Sequence, residues 1–381
     1  MSWQKNLILA LITILVASSL PAQSGIAQVS QSNSGEVNKV TTQQSSLATE
    51  VSSTLTPYLD QLVKEDRFSG VVLIAKDGKP IFQKAYGLAN KEANIPNTME
   101  TRFNLGSMNK MFTAVAIAQL AEKGKLSFTD TISKHVPDYP NKTVADKVTI
   151  HQLLTHTSGM GVYWNDKFAA QRATLTTIAA HIPLFADESL AFEPGTSFRY
   201  SNSGFMVLGL IIERVSGQSY YDYLAAHIFK PAGMNNTGFY DPKGNNPKVA
   251  IGYAGSPGQR HDNSSEREVK GGPAGGGFST AEDLVKFHLA LFGHKLLSPK
   301  YTELVTTGKV NMGGSGLKYA YGFGDGPVNG KRTVGHNGGA PGIGADLTMF
   351  PDLGYTAIVL TNYDFPLSQP VVRKIRELIT K

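Results

Sequence analysis

Two strand pairs, one near each end of the chain, enclose a long helical middle, and no other feature constrains the fold as much. Val71-Val72-Leu73-Ile74-Ala75, a turn through Asp77-Gly78 and the run from Ile81 to Tyr86 read as one hairpin. Ala345 to Phe350 and Tyr355 to Thr361, joined by Pro351-Asp352-Leu353-Gly354, read as another. An isolated hairpin is marginally stable in water. Pairing the two into one sheet therefore predicts an α+β (α/β layered) fold. Its antiparallel sheet comes from both chain ends, is flanked by helices, and carries a mainly helical insertion over about residues 107–240.

Within that frame, Leu55 to Asp66 has helical spacing, and Met111 to Leu120 is a very apolar helix closed by Lys123-Gly124. Phe205 to Val215 is a second apolar helix, closed by Gly217. Residues 240–275 are polar and Gly-rich and read as loop. Ser279-x-x-Glu282 reads as a capping box before a helix over Ala281 to Phe292, and a last amphipathic helix is expected from about Gln369 to Thr380. Residues 55–381 are thus read as one domain, preceded by two other segments. Residues 1–27 resemble a secretory signal peptide: Lys5, an apolar run from Leu7 to Val16, then small residues with cleavage expected after Ala22 or Ala27. The run is shorter than the roughly 20 residues a membrane span needs, so no stable span is expected after cleavage and the protein is expected to be secreted or periplasmic. Residues 28–54, rich in Ser, Gln and Thr, read as a flexible linker.

Composition narrows function. The net charge is +6, and loss of Lys5 with no acid in residues 1–27 makes it +5. The basic residues are scattered rather than clustered, which gives nucleic-acid binding no support. There is no cysteine, so disulfides and thiolate metal sites are excluded. No cofactor and no metal are expected: no P-loop, dinucleotide fingerprint or H-E-x-x-H is present, and no G-x-S-x-G nucleophile elbow either.

The chemistry is concentrated in three short motifs. Ser107-Met108-Asn109-Lys110 stands at the mouth of the first apolar helix. Residues three apart share a helix face, so the serine and the amine point the same way, and the Ser107 N–H is one of the free donors of a helix N-terminus. The spacing alone is cheap, because Ser2/Lys5 and Ser315/Lys318 repeat it. Tyr200-Ser201-Asn202 precedes the second apolar helix, where a loop can present a phenol and an amide to a cleft. The alternative is that Tyr200 is a packed aromatic and Asn202 a helix cap. Tyr139-Pro140-Asn141 and Tyr163-Trp164-Asn165 share the pattern without leading into a long apolar helix. His336-Asn337-Gly338 precedes Gly339, where the two glycines would let a substrate approach the backbone. The alternative is a surface histidine.

Together these motifs resemble, in order and spacing, the serine β-lactamases and penicillin-binding DD-peptidases, with the class C β-lactamase-like serine hydrolases as the nearest pattern. LLTHTSGM (Leu153 to Met160), EPGTSFRYSNSG (Glu193 to Gly204), GPAGGGFS (Gly272 to Ser279) and GHNGGAPG (Gly335 to Gly342) agree, over about residues 58–365. The resemblance implies Ser107 as acyl-forming nucleophile, Lys110 as its base and Tyr200 as proton relay. It further implies Asn202, His336, Gly338 and Gly339 at the substrate, with the backbone N–H groups of Ser107 and Gly339 as oxyanion hole.

Many β-lactamases carry Lys where His336 stands, and a neutral imidazole anchors a carboxylate less well. That departure shifts the expectation towards a D-alanyl-D-alanine carboxypeptidase or D-peptidase-like amide hydrolase. A β-lactamase or small-ester esterase remains an alternative, as does a slowly acylating penicillin- or peptidoglycan-binding protein. The implied partner is a small-molecule or peptide substrate: a cell-wall peptide, a β-lactam or an ester.

Overall fold

Eight strands form one antiparallel sheet: β1 (Gly70–Lys76), β2 (Lys79–Tyr86), β3 (Val310–Asn311), β4 (Lys318–Tyr319), β5 (Gly324–Val328), β6 (Lys331–Ala340), β7 (Ile343–Phe350) and β8 (Tyr355–Thr361). Their order is β2-β1-β8-β7-β6-β5-β4-β3. The structure, a computed structural model, describes residues 33–312 and 316–381, with side chains from residue 46. The expected signal segment and Ser315 lie outside the described residues. Among the described residues no helix is long and apolar enough to cross a membrane.

The two expected hairpins are β1–β2 and β7–β8, and they meet where expected, with Gly70 opposite Thr361 and Lys76 opposite Tyr355. Side chains alternate between sheet faces, which explains why β1 reads as an unbroken apolar run. Val71, Leu73 and Ala75 enter the large core beneath the inner face. Val72 and Ile74 enter a smaller one on the outer face. That outer core is closed by α1 (Asn33–Lys64) and α5 (Gln369–Thr380). The inner core holds α2 (Asn109–Glu122), α3 (Asn202–Ser216) and α4 (Ala281–Phe292).

Three details differ from the sequence reading. The first helix does not begin near Leu55 but at Asn33, so the described part of the expected linker is helical. Its packed stretch is explained by Leu47, Val51, Leu55, Leu59 and Leu62, an apolar stripe at helical spacing that faces the outer core. Compact packing starts at Ser46 and continues to Lys381. At α4 the cap is Thr280, whose hydroxyl accepts from the Asp283 N–H at 3.3 Å, and not Ser279. Ser279 instead shares a hydrogen bond with Thr237, 2.7 Å away. Finally, residues 310–340, which show no strand pattern of their own in the sequence, supply four of the eight. Their Gly-rich composition hides the period-2 signal.

Candidate active site

Ser107 lies in a 3₁₀ turn, Gly106–Met108, that runs directly into α2. The turn begins at Gly106 with φ +48°, in the left-handed region that favours glycine. α2 is buried on every side from Asn109 to Ala121, so Lys110 has no route to water. Its Nζ lies 3.1 Å from Ser107 Oγ, 2.8 Å from Asn202 Oδ1 and 2.6 Å from the Ala274 carbonyl oxygen. All three partners are neutral. Burial pushes the amine well below its ordinary range, and the Glu268 carboxylate opposes this only in part. Ala274 belongs to the GPAGGGFS stretch, which packs against the serine turn: the Gly276 N–H donates to the Gly106 carbonyl at 3.3 Å.

Tyr200 and Asn202 are placed by the residue between them. Ser201 caps α3, its hydroxyl accepting from the Gly204 N–H at 2.9 Å. Asn202 is thereby released from capping and turns its amide oxygen to Lys110. The Ser201 N–H donates to His156 Nδ1 at 3.0 Å, and its hydroxyl donates to the Gly161 carbonyl at 2.7 Å. His156 is fully buried at φ +60° and its ring centroid is 4.2 Å from that of Tyr200. The LLTHTSGM stretch, through His156, therefore helps to hold the Tyr-Ser-Asn loop in place. Tyr200 is hydrogen-bonded to Ser107; burial drives its phenol well above the ordinary range, and that hydrogen bond pulls the other way.

The third motif lies on β6. A side chain on Gly338 would put its Cβ 1.9 Å from the Leu105 carbonyl oxygen and 2.9 Å from the Ser107 nitrogen. Gly338 thus lets β6 press against the serine turn. Gly339 does reach the cavity beside Ser107, and the Gly106 α-carbon packs so close that a Cβ there would lie 2.9 Å from the Gly339 nitrogen. The two backbone amides expected as an oxyanion hole are therefore neighbours.

His336 is engaged at both ring nitrogens. Nδ1 faces the Asn337 carbonyl at 2.5 Å, which can only accept, so Nδ1 carries the proton. Nε2 then accepts from the Tyr319 hydroxyl at 3.0 Å. Part of the residue reaches the surface, but the ring is packed among Tyr200 and Tyr319. Burial first, and the nearby Lys110 second, lower its pKa to about 3, against the Asn337 hydrogen bond. The imidazole is neutral at pH 7 and has no free N–H for a substrate.

A cavity of about 210 Å³ opens at Ser107 and Gly339, walled by Tyr163, Trp164 and Phe168, with Glu268 on its lining. Sequence reading set Tyr163-Trp164-Asn165 aside, and no sequence signal marked Glu268, a lone acid in a polar loop. Asn165 caps a short helix by accepting from Phe168 at 3.0 Å, which aims the two aromatics at the cavity. A larger cavity of about 280 Å³, bordered by Asn104, Tyr240 and Asn362, does not include Ser107. Among the described residues no group of three or more His, Cys, Asp or Glu is arranged to hold a metal ion.

A serine bonded to a buried lysine and to a tyrosine, beneath the edge of an antiparallel sheet, defines a class: the serine β-lactamases and penicillin-binding proteins. A family model described as Beta-lactamase matches residues 55–380, and the chain belongs to that family of serine hydrolases. The PbpX protein of Bacillus subtilis (strain 168) is 33% identical over 305 residues, covering 79% of this chain and 72% of that one. Penicillin-binding protein 4* of the same strain is 31% identical over 326 residues, covering 80% and 70%. The crystal structure of a penicillin binding protein from Bacillus halodurans superposes with a TM-score of 0.74 at 34% identity, over 84% of this chain and 99% of that one.

Proposed function

We propose that this chain is an exported serine hydrolase that cleaves amides or peptides of D-amino acids through an acyl-Ser107 intermediate. The observation that carries the proposal is the setting of Lys110: a buried amine with three neutral partners, one of them the Ser107 hydroxyl. Burial lowers the pKa of such an amine, which favours the neutral form that can take a proton.

As Ser107 Oγ bonds to the acyl carbon, its proton passes to Lys110 Nζ. The carbonyl oxygen gains charge between the N–H groups of Ser107 and Gly339. Tyr200, kept protonated by burial, relays a proton to the leaving nitrogen as the carbon–nitrogen bond breaks. Water then hydrolyses the ester, giving the acid and restoring the serine hydroxyl. Asn202 holds Lys110 in place throughout.

Relatives named as penicillin-binding proteins support acyl donors of the cell-wall-peptide and β-lactam type. The leader-like residues 1–27 support export. One observation favours a second reading. His336 has both nitrogens occupied, so it supplies no cation for a terminal carboxylate, which suits esters and amides lacking one. Steady-state hydrolysis of paired D- and L-aminoacyl chromogenic amides and a p-nitrophenyl ester, by the protein and by Ser107→Ala, separates these readings. D-amide turnover that disappears in the variant is the expected result. Equal turnover by Ser107→Ala would remove the proposal, and ester turnover alone would establish the second reading.

A further inference from the structure

The cavity beside Ser107 is lined by three charged groups that the acylation chemistry does not use, Glu266, Arg267 and Glu268, and the last of them is incompletely partnered. Glu268 Oε1 accepts hydrogen bonds from the Tyr163 hydroxyl and, at 3.3 Å, from Trp164 Nε1. Its second oxygen, Oε2, is shielded from solvent and has no hydrogen-bond partner among the described residues. A carboxylate oxygen left in that state is costly unless something completes it. The cations nearby are committed elsewhere. Lys110 Nζ is held by Ser107, Asn202 and Ala274. The Arg267 guanidinium lies over the Tyr240 ring at 3.9 Å and donates to the Glu268 backbone carbonyl, not to its carboxylate. Glu266, on the same lining, is 2.9 Å from His261.

From this we infer that Glu268 is a specificity residue that receives an ammonium group carried by the acyl part of the substrate. The walls suit that ligand. Tyr163, Trp164 and Phe168 give the cavity apolar, aromatic sides, and aromatic faces attract cations. Tyr163 and Trp164 also fix the carboxylate by occupying Oε1, and Oε2 is the acceptor left without a partner among the described residues. The preferred acyl donor is then an aminoacyl amide or ester with a free amine, set against aromatic walls, in place of an N-acylated one. This rests on acylation at Ser107, and the test keeps the two apart.

Three p-nitroanilides of D-phenylalanine, with the amine free, acetylated or succinylated, give cationic, neutral and anionic acyl donors of one shape. They are compared on the protein and on Glu268→Gln, with labelling of Ser107 by a fluorophosphonate followed by mass as a control for the nucleophile. The expected result is a preference for the free amine of at least about tenfold in kcat/KM, and a fall of about 10–100-fold in that preference in Glu268→Gln. Because loss of the Glu268 charge also acts on Lys110 and so on every substrate alike, the deciding readout is the ratio of free-amine to acetylated kcat/KM, and fluorophosphonate labelling of Ser107 in the variant shows that the site is intact. Labelled Ser107 with equal or better turnover of the acetylated donor overturns the role of Glu268 and leaves the serine hydrolase standing. Preference for the succinylated donor overturns it in favour of Arg267 as an anion anchor. Absence of both labelling and turnover overturns the acylation on which the inference rests. Should Glu268→Gln fail to fold, the preference of the unaltered protein among the three substrates still decides.

Discussion

Lys110 is the residue on which the chemistry turns, and its pKa gives a sign that can be checked. The base must be neutral, and burial holds the amine well below its ordinary range. Activity should therefore rise with pH as Lys110 loses its proton, and the rise should be complete well below pH 10. Lys110→Ala should lower kcat/KM by about 10²–10⁴ and abolish that limb. A pH–rate profile of kcat/KM settles the point: a limb still climbing at pH 10 would mean an ordinary, charged lysine. At this scale the sequence carried Ser107, Lys110, Tyr200 and Asn202, because each stands within a few residues of a helix start. It could not carry His156 or Glu268, whose importance lies in what they meet across the fold.

The elements show why the three motifs converge. α2 delivers the serine and lysine, α3 delivers Asn202 once Ser201 has taken the cap, and β6 closes the site from the sheet side. β6 approaches the serine turn so closely that only glycine fits at position 338. Gly338→Ala should push β6 away from Ser107, separate the two backbone donors and reduce kcat by at least about 10², the cost of losing one oxyanion donor. The double readout is kcat together with the rate of Ser107 labelling; a variant with normal values in both would show that the close packing is not needed. This strand was also the part of the site that the sequence concealed. From His336 to Gly339 the glycines erase the alternation by which strands are recognised. The hairpins β1–β2 and β7–β8, with their β-branched runs, were plain.

At the scale of the whole molecule, the first and last strands of the domain lie side by side, β1 against β8, with α1 and α5 over the outer face. The chain from Gly87 to Lys309 is thus an excursion from a sheet built by the segments before and after it. That architecture was legible because two hairpins around a helical middle have few other ways to bury their faces. The short strands of residues 310–328 were not legible, since each is only two to five residues long and takes its structure from the β6 edge rather than from its own pattern. Opposite the sheet, the helical side contributes Tyr200, Tyr163 and Trp164, so the nucleophile lies where the two halves face each other.

The central claim is that Ser107 forms a covalent acyl-enzyme, and intact mass spectrometry tests it most directly. The protein and Ser107→Ala are incubated with a penicillin and their masses followed over time. The expected result is a mass increase equal to one penicillin molecule, confined to the unaltered protein and mapping to Ser107, or drug breakdown that requires Ser107. A folded protein that gains no mass from the penicillin and none from a fluorophosphonate or a p-nitrophenyl ester, and turns none of them over, or an adduct that persists in Ser107→Ala, would contradict it.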